Sequence, residues 1–369
     1  MRTRERLASV RRLLDEGNLD LLVVSNPANR RYLTGFTADD HAPDESSGYV
    51  VITRERASLI VSPTNLPWAR AEADLDNVAV EPIEGTLTAT IASRILSRQA
   101  KRVGIEDATT PASIWFDLQE ALGTDVTLVR LGDTIDNLRE IKAPEELDFL
   151  RQAAHLTDEA FALAKRRLEP GMTEREAADI VRESLRAVGS DGEAFDTIVA
   201  AGPNAAKPHH RPGDRPLKPG EPIIIDMGAR VNGYNGDLTR TVCLGSADER
   251  LIEIYEAVLE AQLAGLAAIR AGVPSSAPDI ATREVFASHG LEAFVIHSAG
   301  HGLGLRVHEA PSVRRTSDAS LESGNVITME PGVYIEGWGG VRIEDVAIVH
   351  DSGHENITSA PKGTDVMQL

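Results

Sequence analysis

Cysteine is almost absent from the sequence, which contains one, Cys243. A single thiol cannot form a disulfide within the chain, and the apolar neighbours Val242 and Leu244 favour a core residue over a nucleophile. Long apolar runs are also missing, since stretches such as Leu21–Val24 and Ile223–Ile225 are far shorter than the ~20 residues that span a bilayer. The first residues lack the continuous apolar stretch of a signal peptide, so we expect a cytoplasmic protein that does not bind membranes.

Basic residues are fewer than acidic ones. The 369 residues include 57 acidic and 38 basic side chains, which leaves a formal net charge of −19. Nucleic acid and anionic membranes are poor partners for such a surface because a polyanion is repelled. The hydrophobic fraction of 42% is ordinary for a protein with a buried core, and the length favours two domains over one.

Short apolar runs alternate with helical stretches in the first part of the chain, which predicts an α/β domain. The expected strands are Leu19–Ser25, Gly48–Thr53, Ala57–Ser62, Val78–Ile83, Arg102–Glu106 and Val126–Leu131. The expected helices lie around 3–16, 66–75, 87–99 and 112–122.

The pattern changes near residue 140, and we place the boundary there, between domains 1–140 and 141–369. Pro144 suits the first turn of a long helix, and Thr173 with Glu176 three residues later forms a capping box for a second one. Long helices followed by strand pairs are typical of an α+β domain.

A proline-rich loop, residues 203–222, follows these helices. Its composition alone is that of a linker, but it lies between the apolar strands Ile198–Ala201 and Pro222–Met227. We therefore interpret the proline-rich loop as a rigid connection inside the second domain.

Two aspartates belong to one predicted hairpin. Asp226 ends an apolar run that indicates a strand buried on both faces, Asn232-Gly233 supplies a turn, and Asp237 lies on the returning strand. A buried carboxylate at this place is costly unless positive charge meets it. Both side chains are expected to face one cavity.

A second predicted hairpin repeats this arrangement. Glu330 follows an apolar strand, a glycine-rich turn reverses the chain, and Glu344 lies on the return strand. Between the two hairpins, His297, His301 and His308 surround another glycine-rich turn, where glycine allows the backbone to approach closely.

Four strand-borne carboxylates and a histidine predict a metal centre when they are taken together. Each residue alone is weak evidence for a metal site, because a carboxylate at a strand end is usually solvated and a histidine is more often a hydrogen-bonded core residue. Four converging negative charges need about four positive ones, which two divalent cations supply. Oxygen-rich ligation favours Mn²⁺, Fe²⁺ or Co²⁺ over a thiolate zinc site, and a metal pair points to hydrolysis of an amide or similar bond.

The motifs resemble those of the pita-bread metallopeptidases, the family that includes methionine aminopeptidase, aminopeptidase P and prolidase. The matching stretches are I-I-D-M-G (224–228), G-Y-N-G-D-L-T-R-T (233–241), G-H-G-L-G-L-R-V-H-E (300–309), M-E-P-G-V-Y (329–334) and G-G-V-R-I-E-D (339–345). Residues 19–36 and 138–154 resemble the family's N-terminal domain, a layout typical of the Xaa-Pro peptidase branch. The resemblance implies an α/β N-terminal domain followed by an α+β pita-bread (creatinase/aminopeptidase-like) catalytic domain.

The resemblance also implies a ligand set. Asp226 would bind one metal through both oxygens, and Asp237 and Glu344 would bridge the two metals. His301 and Glu330 would complete the second metal, with Glu330 also taking the proton of the bridging water. Two divalent ions per subunit are implied, with Mn²⁺ preferred and Co²⁺, Fe²⁺ or Zn²⁺ as alternatives.

Further roles follow from the same resemblance. His209 would assist the leaving nitrogen, although the adjacent His210 is an equal candidate by residue type, and His308 would stabilise the tetrahedral oxyanion. His297 would line the pocket for a proline ring, and Arg342 would support the substrate site by pairing with a ligand carboxylate.

The implied activity is hydrolysis of the bond between an N-terminal residue and proline in small peptides, by a homodimeric Xaa-Pro dipeptidase or aminopeptidase. The sequence does not separate these two. One alternative is a C–N hydrolase of a small osmolyte or creatine-like substrate, resembling creatinase or ectoine hydrolase. Another is an inactive binding module. The complete ligand set favours the peptidase, because creatinase-like members do without the metals and inactive modules typically lose ligands.

Overall fold

The computed structural model describes residues 2–40, 42 and 45–369. The chain divides into two compact units, Met1–Leu138 and Arg139–Leu369. Among the described residues, no helix combines the length and the apolar composition that crossing a membrane requires.

The first unit is an α/β domain built on a mixed sheet. Its helices are α1 (Arg2–Glu16), α2 (Pro27–Thr34), α3 (Leu66–Glu72), α4 (Leu87–Ser97) and α5 (Ala112–Leu122). Its strands are β1 (Leu21–Val24), β2 (Tyr49–Ile52), β3 (Ala57–Val61), β4 (Ala79–Pro82), β5 (Arg102–Ile105) and β6 (Thr127–Arg130). The sheet order is β4-β3-β2-β1-β5-β6, with β2 antiparallel to both neighbours and the other pairs parallel.

Each strand predicted for this unit is present, shortened by one to three residues. Helix α2 was not predicted, although local signals for it exist. The Asn26 side chain accepts a hydrogen bond of 2.9 Å from the Ala28 N–H, Pro27 opens the helix, and Gly35 ends it at φ 83°. These are ordinary cap signals at both ends of a helix, and the short length of α2 concealed them.

The second unit is an α+β domain. Its helices are α6 (Pro144–Lys165), α7 (Glu174–Ala187), α8 (Glu249–Ala267), α9 (Ala277–Ser288) and α10 (Thr364–Met367). Its first strands are β7 (Ile198–Ala201), β8 (Ile223–Met227), β9 (Arg230–Val231), β10 (Tyr234–Asn235) and β11 (Leu238–Val242). The later strands are β12 (Gly300–Gly302), β13 (Glu309–Val313), β14 (Val326–Met329), β15 (Gly332–Ile335), β16 (Gly339–Arg342), β17 (Asp345–His350) and β18 (Gly353–Asn356).

Helices α6 and α7 pack against the sheet of order β11-β8-β7. The predicted capping box opens α7, because the Thr173 N–H donates to Glu176 Oε2 at 2.8 Å and the Glu176 N–H donates back to Thr173 Oγ1. Ile223 and Ile225 of β8 point into the core beneath these helices, whereas Ile224 packs on the opposite face. Strand β8 is therefore buried on both faces, as its composition predicted.

The first aspartate pair lies on the β8–β11 ladder. Asp226 is paired with Thr239, and the short β9–β10 hairpin turns at Asn232 and Gly233, which have φ values of 47° and 76°. Asp237 falls between β10 and β11, one residue before the return strand begins.

The glutamates lie on one antiparallel hairpin, as expected, because β14 pairs with β17 and β15 pairs with β16. Each glutamate occupies a break between two strands of this hairpin. Glu330 separates β14 from β15, and Glu344 separates β16 from β17. Pro331 lacks an N–H and ends the β14 ladder. The Glu330 N–H instead donates to Ala299 O at 2.8 Å and the Glu344 N–H to Thr239 O at 3.1 Å. These two backbone hydrogen bonds connect Glu330 and Glu344 with neighbouring segments of the second unit.

Candidate metal centre

The five residues predicted as ligands line one cavity of the second unit. His301 Nε2 lies 3.2 Å from Glu330 Oε1 and 3.8 Å from Asp237 Oδ2. One ligand atom from each of Asp237, His301 and Glu344 lies within 4.8 Å of the other two. The structure thus brings together residues that are more than 100 positions apart in the sequence.

Asp226 meets the positive charge that its burial requires. Arg342 Nη2 donates to Asp226 Oδ2 at 2.6 Å. The other oxygen, Oδ1, is buried and has no hydrogen-bond partner in the part of the chain that the structure describes. Burial raises the pKa of Asp226 in spite of Arg342. A buried acceptor without a donor, beside three further carboxylates, fits a cation as its missing partner.

Thr239 forms hydrogen bonds with both Arg342 and Glu344, and the sequence analysis did not identify it as a site residue. Thr239 Oγ1 donates to Glu344 Oε2 at 2.8 Å and accepts from Arg342 Nε at 3.1 Å. Its place two residues after Asp237, within the motif G-D-L-T-R-T, was the available signal. The hydroxyl orients one lone pair of Glu344 and leaves the second oxygen for a ligand.

The surroundings of the site oppose the ionisation of two of its carboxylates. Burial, followed by the neighbouring acids, raises the pKa of Asp237 and Glu344 well above their usual values. Burial also opposes the charge of Glu330, but the hydrogen bond and charge of His301 prevail and lower its pKa to about 2. The same contact outweighs the burial of His301 and raises its pKa to about 9. Asp237 and Glu344 therefore need nearby positive charge to be ionised, which divalent cations would supply.

The His301 ring is oriented as a metal-binding imidazole usually is. Its Nδ1 lies 3.1 Å from Gly302 O, to which it donates, and this leaves Nε2 directed at the carboxylates. A backbone carbonyl in this role fixes the ring and raises the basicity of the other nitrogen. Four carboxylates and one such imidazole, without a thiolate, fit Mn²⁺ or a similar divalent ion.

The cavity beside the cluster has a volume of about 410 Å³, within the ~300–1,000 Å³ of small-molecule sites. Its walls are formed by Phe195, Asp196, Ile198, Pro208, His209, Asp226, Asp237, His297, Ser298, Gly300, His301, Val307, His308, Ser312, Glu330, Arg342 and Glu344. All the sequence-predicted site residues are therefore among its lining residues.

His297 is held by a hydrogen-bonded chain that begins at Arg342. Arg342 Nη1 donates to the Tyr334 hydroxyl at 2.8 Å, and that hydroxyl lies 2.7 Å from His297 Nε2. His297 Nδ1 lies 2.7 Å from Ser298 O, which only accepts, so Nδ1 carries the proton and Nε2 accepts from Tyr334. Burial keeps the pKa of His297 below its usual value and raises that of Tyr334 to about 12. Both nitrogens of His297 are therefore engaged, and its N–H is not available to the cavity.

His308 stands next to the cluster. Its ring centroid lies 4.3 Å from that of His301, with an angle of 57° between the ring planes. Burial, and then the charge of His301, lower the pKa of His308. A neutral imidazole at this place can donate one N–H into the cavity.

The adjacent histidines of the proline-rich loop face different surroundings. His209 is exposed and lines the cavity. His210 does not line the cavity, and its Nε2 lies 2.8 Å from Glu174 Oε2. The structure thus distinguishes His209 from His210, which residue type alone did not.

Family models match both parts of the chain. Residues 148–351 match the family model described as metallopeptidase family M24, and residues 6–141 match the creatinase/prolidase N-terminal domain. The chain belongs to metallopeptidase family M24. The resemblance to pita-bread metallopeptidases and the predicted fold class are both confirmed.

Similar proteins share nearly the whole length of the chain. An uncharacterised peptidase of Bacillus subtilis, YqhT, is 35% identical over 97% of this chain and 98% of its own. The structure of an Xaa-Pro dipeptidase from Bacillus anthracis is 33% identical, with a TM-score of 0.92 and 100% of both chains covered. The structure of an X-Pro aminopeptidase from Thermotoga maritima is 30% identical, with a TM-score of 0.84 over 94% of this chain and 97% of that one.

Proposed function

We propose that the chain is a binuclear-metal-dependent peptidase that hydrolyses the bond between an N-terminal residue and proline. The observation that carries the proposal is the buried cluster of four carboxylates and His301 on the wall of a cavity that three further histidines line. Similarity to proteins named Xaa-Pro dipeptidase and X-Pro aminopeptidase supports the same substrate class.

Asp226, Asp237, His301, Glu330 and Glu344 are the proposed ligands of two divalent ions, with Mn²⁺ preferred. The orphaned oxygen of Asp226 and the raised pKa values of Asp237 and Glu344 support this assignment. Bound ions of this kind lower the pKa of a water molecule and polarise a carbonyl oxygen.

Glu330 is proposed to receive the proton of the attacking water. Its carboxylate lines the cavity and lies 3.2 Å from His301 Nε2, beside the proposed metal site where that water would bind. His308, neutral and beside His301, is proposed to donate its N–H to the oxygen that gains negative charge when the carbonyl is attacked.

His209 is proposed to donate a hydrogen bond, and then a proton, to the leaving nitrogen. An Xaa-Pro bond is a tertiary amide, so its nitrogen carries no hydrogen and departs as an amine only after protonation. The exposed position of His209 on the cavity wall is compatible with this donation.

His297 is proposed to form an apolar surface for the proline ring. Both of its nitrogens are already engaged, by Ser298 and by Tyr334, so its ring face is what remains for a substrate. Arg342 is proposed to support the substrate site indirectly, because it neutralises Asp226 and orients the Tyr334 hydroxyl.

Three peptides test the proposal. Metal-depleted protein, reloaded with Mn²⁺ or Co²⁺, is incubated with Ala-Pro, Ala-Pro-Ala and Ala-Ala. We expect cleavage of the proline peptides and little cleavage of Ala-Ala. Cleavage of Ala-Pro alone identifies a dipeptidase, and cleavage of both proline peptides identifies an aminopeptidase. Turnover of none of the three contradicts the peptidase assignment and favours the C–N hydrolase of a small osmolyte.

A matched pair of variants tests the ligand assignment. Asp237→Asn removes a proposed bridging charge and is expected to abolish activity and to lower the metal content, with an unchanged circular dichroism spectrum. Asp351→Asn makes the same change at an exposed turn and is expected to leave both unchanged. Full activity of Asp237→Asn contradicts the bridging role. We also propose that the protein is a homodimer, as the family resemblance implies, and light scattering on the wild-type protein tests this.

A further inference from the structure

Glu174 is a fully buried carboxylate that no step of the proposed reaction uses. It occupies the first turn of α7 and has 0% exposure. Four donors surround it. Oε1 accepts from the Ala201 N–H and from Asn204 Nδ2, both at 2.9 Å. Oε2 lies 2.8 Å from His210 Nε2 and accepts from the Gly213 N–H at 3.1 Å.

These hydrogen bonds, and not burial, decide the charge of Glu174. Burial alone raises its pKa, but the four donors together lower the pKa below the usual value. The carboxylate is therefore ionised at neutral pH, and each of its contacts is a charge-assisted hydrogen bond.

The four donors lie on both sides of His209 in the chain. Two of them, on Ala201 and Asn204, precede it, and the other two, on His210 and Gly213, follow it. The backbone of Glu174 holds the same loop, since its N–H donates to Arg215 O at 3.0 Å. One side chain thus bridges residues 201 and 213, on either side of His209.

The His209 ring itself has no such support. It is exposed, and within residues 2–40, 42 and 45–369 no group forms a hydrogen bond with it. The preceding residue is held weakly, because Pro208 O lies 3.5 Å from Arg342 Nη1. The direction in which His209 points therefore depends on the backbone of the loop.

We propose that Glu174 and His210 are positioning residues for the reaction, and that together they form a clamp that presents His209 to the leaving nitrogen. The inference rests on the proposed function of His209. The Glu174 clamp orders the segment 201–213, so that His209 meets the substrate in a fixed geometry without contacts of its own. A displacement of about 1 Å at a catalytic group can reduce the rate about 100-fold, which makes such support necessary.

Glu174→Gln tests the clamp with almost no change in size. In either orientation, the amide NH₂ faces one pair of donors, which then loses its acceptor. We expect kcat to fall by about tenfold to 100-fold with KM within about twofold, because an interaction made in the transition state is lost. Hydrogen exchange measured by mass spectrometry is expected to rise in 202–213 and to stay unchanged in α8.

A pair of variants at His210 serves as the second test, in case Glu174→Gln does not fold. His210→Gln retains a donor for Glu174, whereas His210→Phe has none. We expect His210→Gln to keep most of the wild-type kcat and His210→Phe to lose about tenfold, with equal metal content in both. Equal kcat values for these two variants overturn the proposal.

The His209→Ala background separates positioning from a general structural role. If the Glu174 clamp acts through His209, Glu174→Gln has little further effect on kcat once His209 is removed. An equal fold loss in both backgrounds overturns the inference.

Failure of the proposed function gives a different result. In that case the wild-type protein does not cleave proline peptides at all, while hydrogen exchange still reports whether Glu174 orders the loop. If the wild type cleaves them and Glu174→Gln retains full kcat and unchanged exchange, only the clamp is refuted.

Discussion

Glu106 makes the stability of the first unit depend on pH in a direction unusual for a carboxylate. It is 3% exposed, and its Oε2 accepts from the N–H groups of Ser25 and Asn26 at 2.6 and 2.7 Å. Its Oε1 accepts from Asn29 Nδ2 at 2.5 Å. Burial outweighs these bonds and raises the pKa of Glu106 to about 7.

The sign of the effect follows from proton binding. Between 4.5, the usual pKa, and about 7, the folded unit holds a proton on Glu106 that the unfolded chain has released. Stability is therefore highest at low pH, falls as pH rises through this window, and is constant above it. A shift of this size corresponds to about 3 kcal/mol. Glu106→Gln cannot ionise, so its stability relative to wild type should improve by up to about 3 kcal/mol between pH 4.5 and 8.

Urea unfolding followed by tryptophan fluorescence measures this difference. Trp338→Phe in every variant leaves Trp68 and Trp115, both in the first unit, as the reporters. Glu120→Gln, an exposed position on α5, is the matched control and should show no pH dependence relative to wild type. Effects of the overall negative charge are common to all variants and cancel in the comparison.

The result that refutes this reasoning is a stability difference between Glu106→Gln and wild type that is the same at pH 4.5 and 8. A difference that grows in favour of wild type as pH rises would show that the hydrogen bonds to the ionised form prevail over burial.

Three further predictions concern the second unit. Because the pKa of His301 is raised to about 9, Mn²⁺ binding at pH 7 should release about one proton or more, and the affinity for Mn²⁺ should increase as pH rises. Calorimetry in buffers of different ionisation enthalpy measures the number of protons released. Identical heats of binding in all buffers would contradict the prediction. Gly228→Ala places a Cβ 2.0 Å from a backbone carbonyl and should cost about 1–3 kcal/mol in urea unfolding. Gly192→Ala, with open space, should cost much less, and equal losses would exclude the steric cause. Arg240→Met leaves the buried carbonyl oxygens of Glu344 and Ala360 without this donor, while Asp345 keeps Lys362 as its other cation. This substitution should lower stability by about 1–3 kcal/mol in urea unfolding, and a loss under about 0.5 kcal/mol would argue against this.

Much of the secondary structure could be predicted because its signals are local. The apolar run of β8 and the capping box at Thr173 each lie within a few residues, and the structure has these elements where they were expected. The hairpin that carries Glu330 and Glu344 was also expected, but the breaks at these two residues were not, because they depend on hydrogen bonds to Ala299 and Thr239. Strand pairing between distant segments leaves no trace in local periodicity.

The sequence by itself determined which residue types form the site, because an arrangement of acids and histidines at strand ends is costly in a core without cations. Tertiary structure alone decided how they are supported. Tyr334 reaches His297 across 37 positions and Glu174 reaches His210 across 36. Such contacts depend on how strands and helices pack, and a side chain's sequence neighbours do not specify the partner it meets through space. For this reason the sequence alone did not distinguish His209 from His210. The structure distinguishes them, because His210 contacts the buried carboxylate of Glu174 whereas His209 lines the cavity.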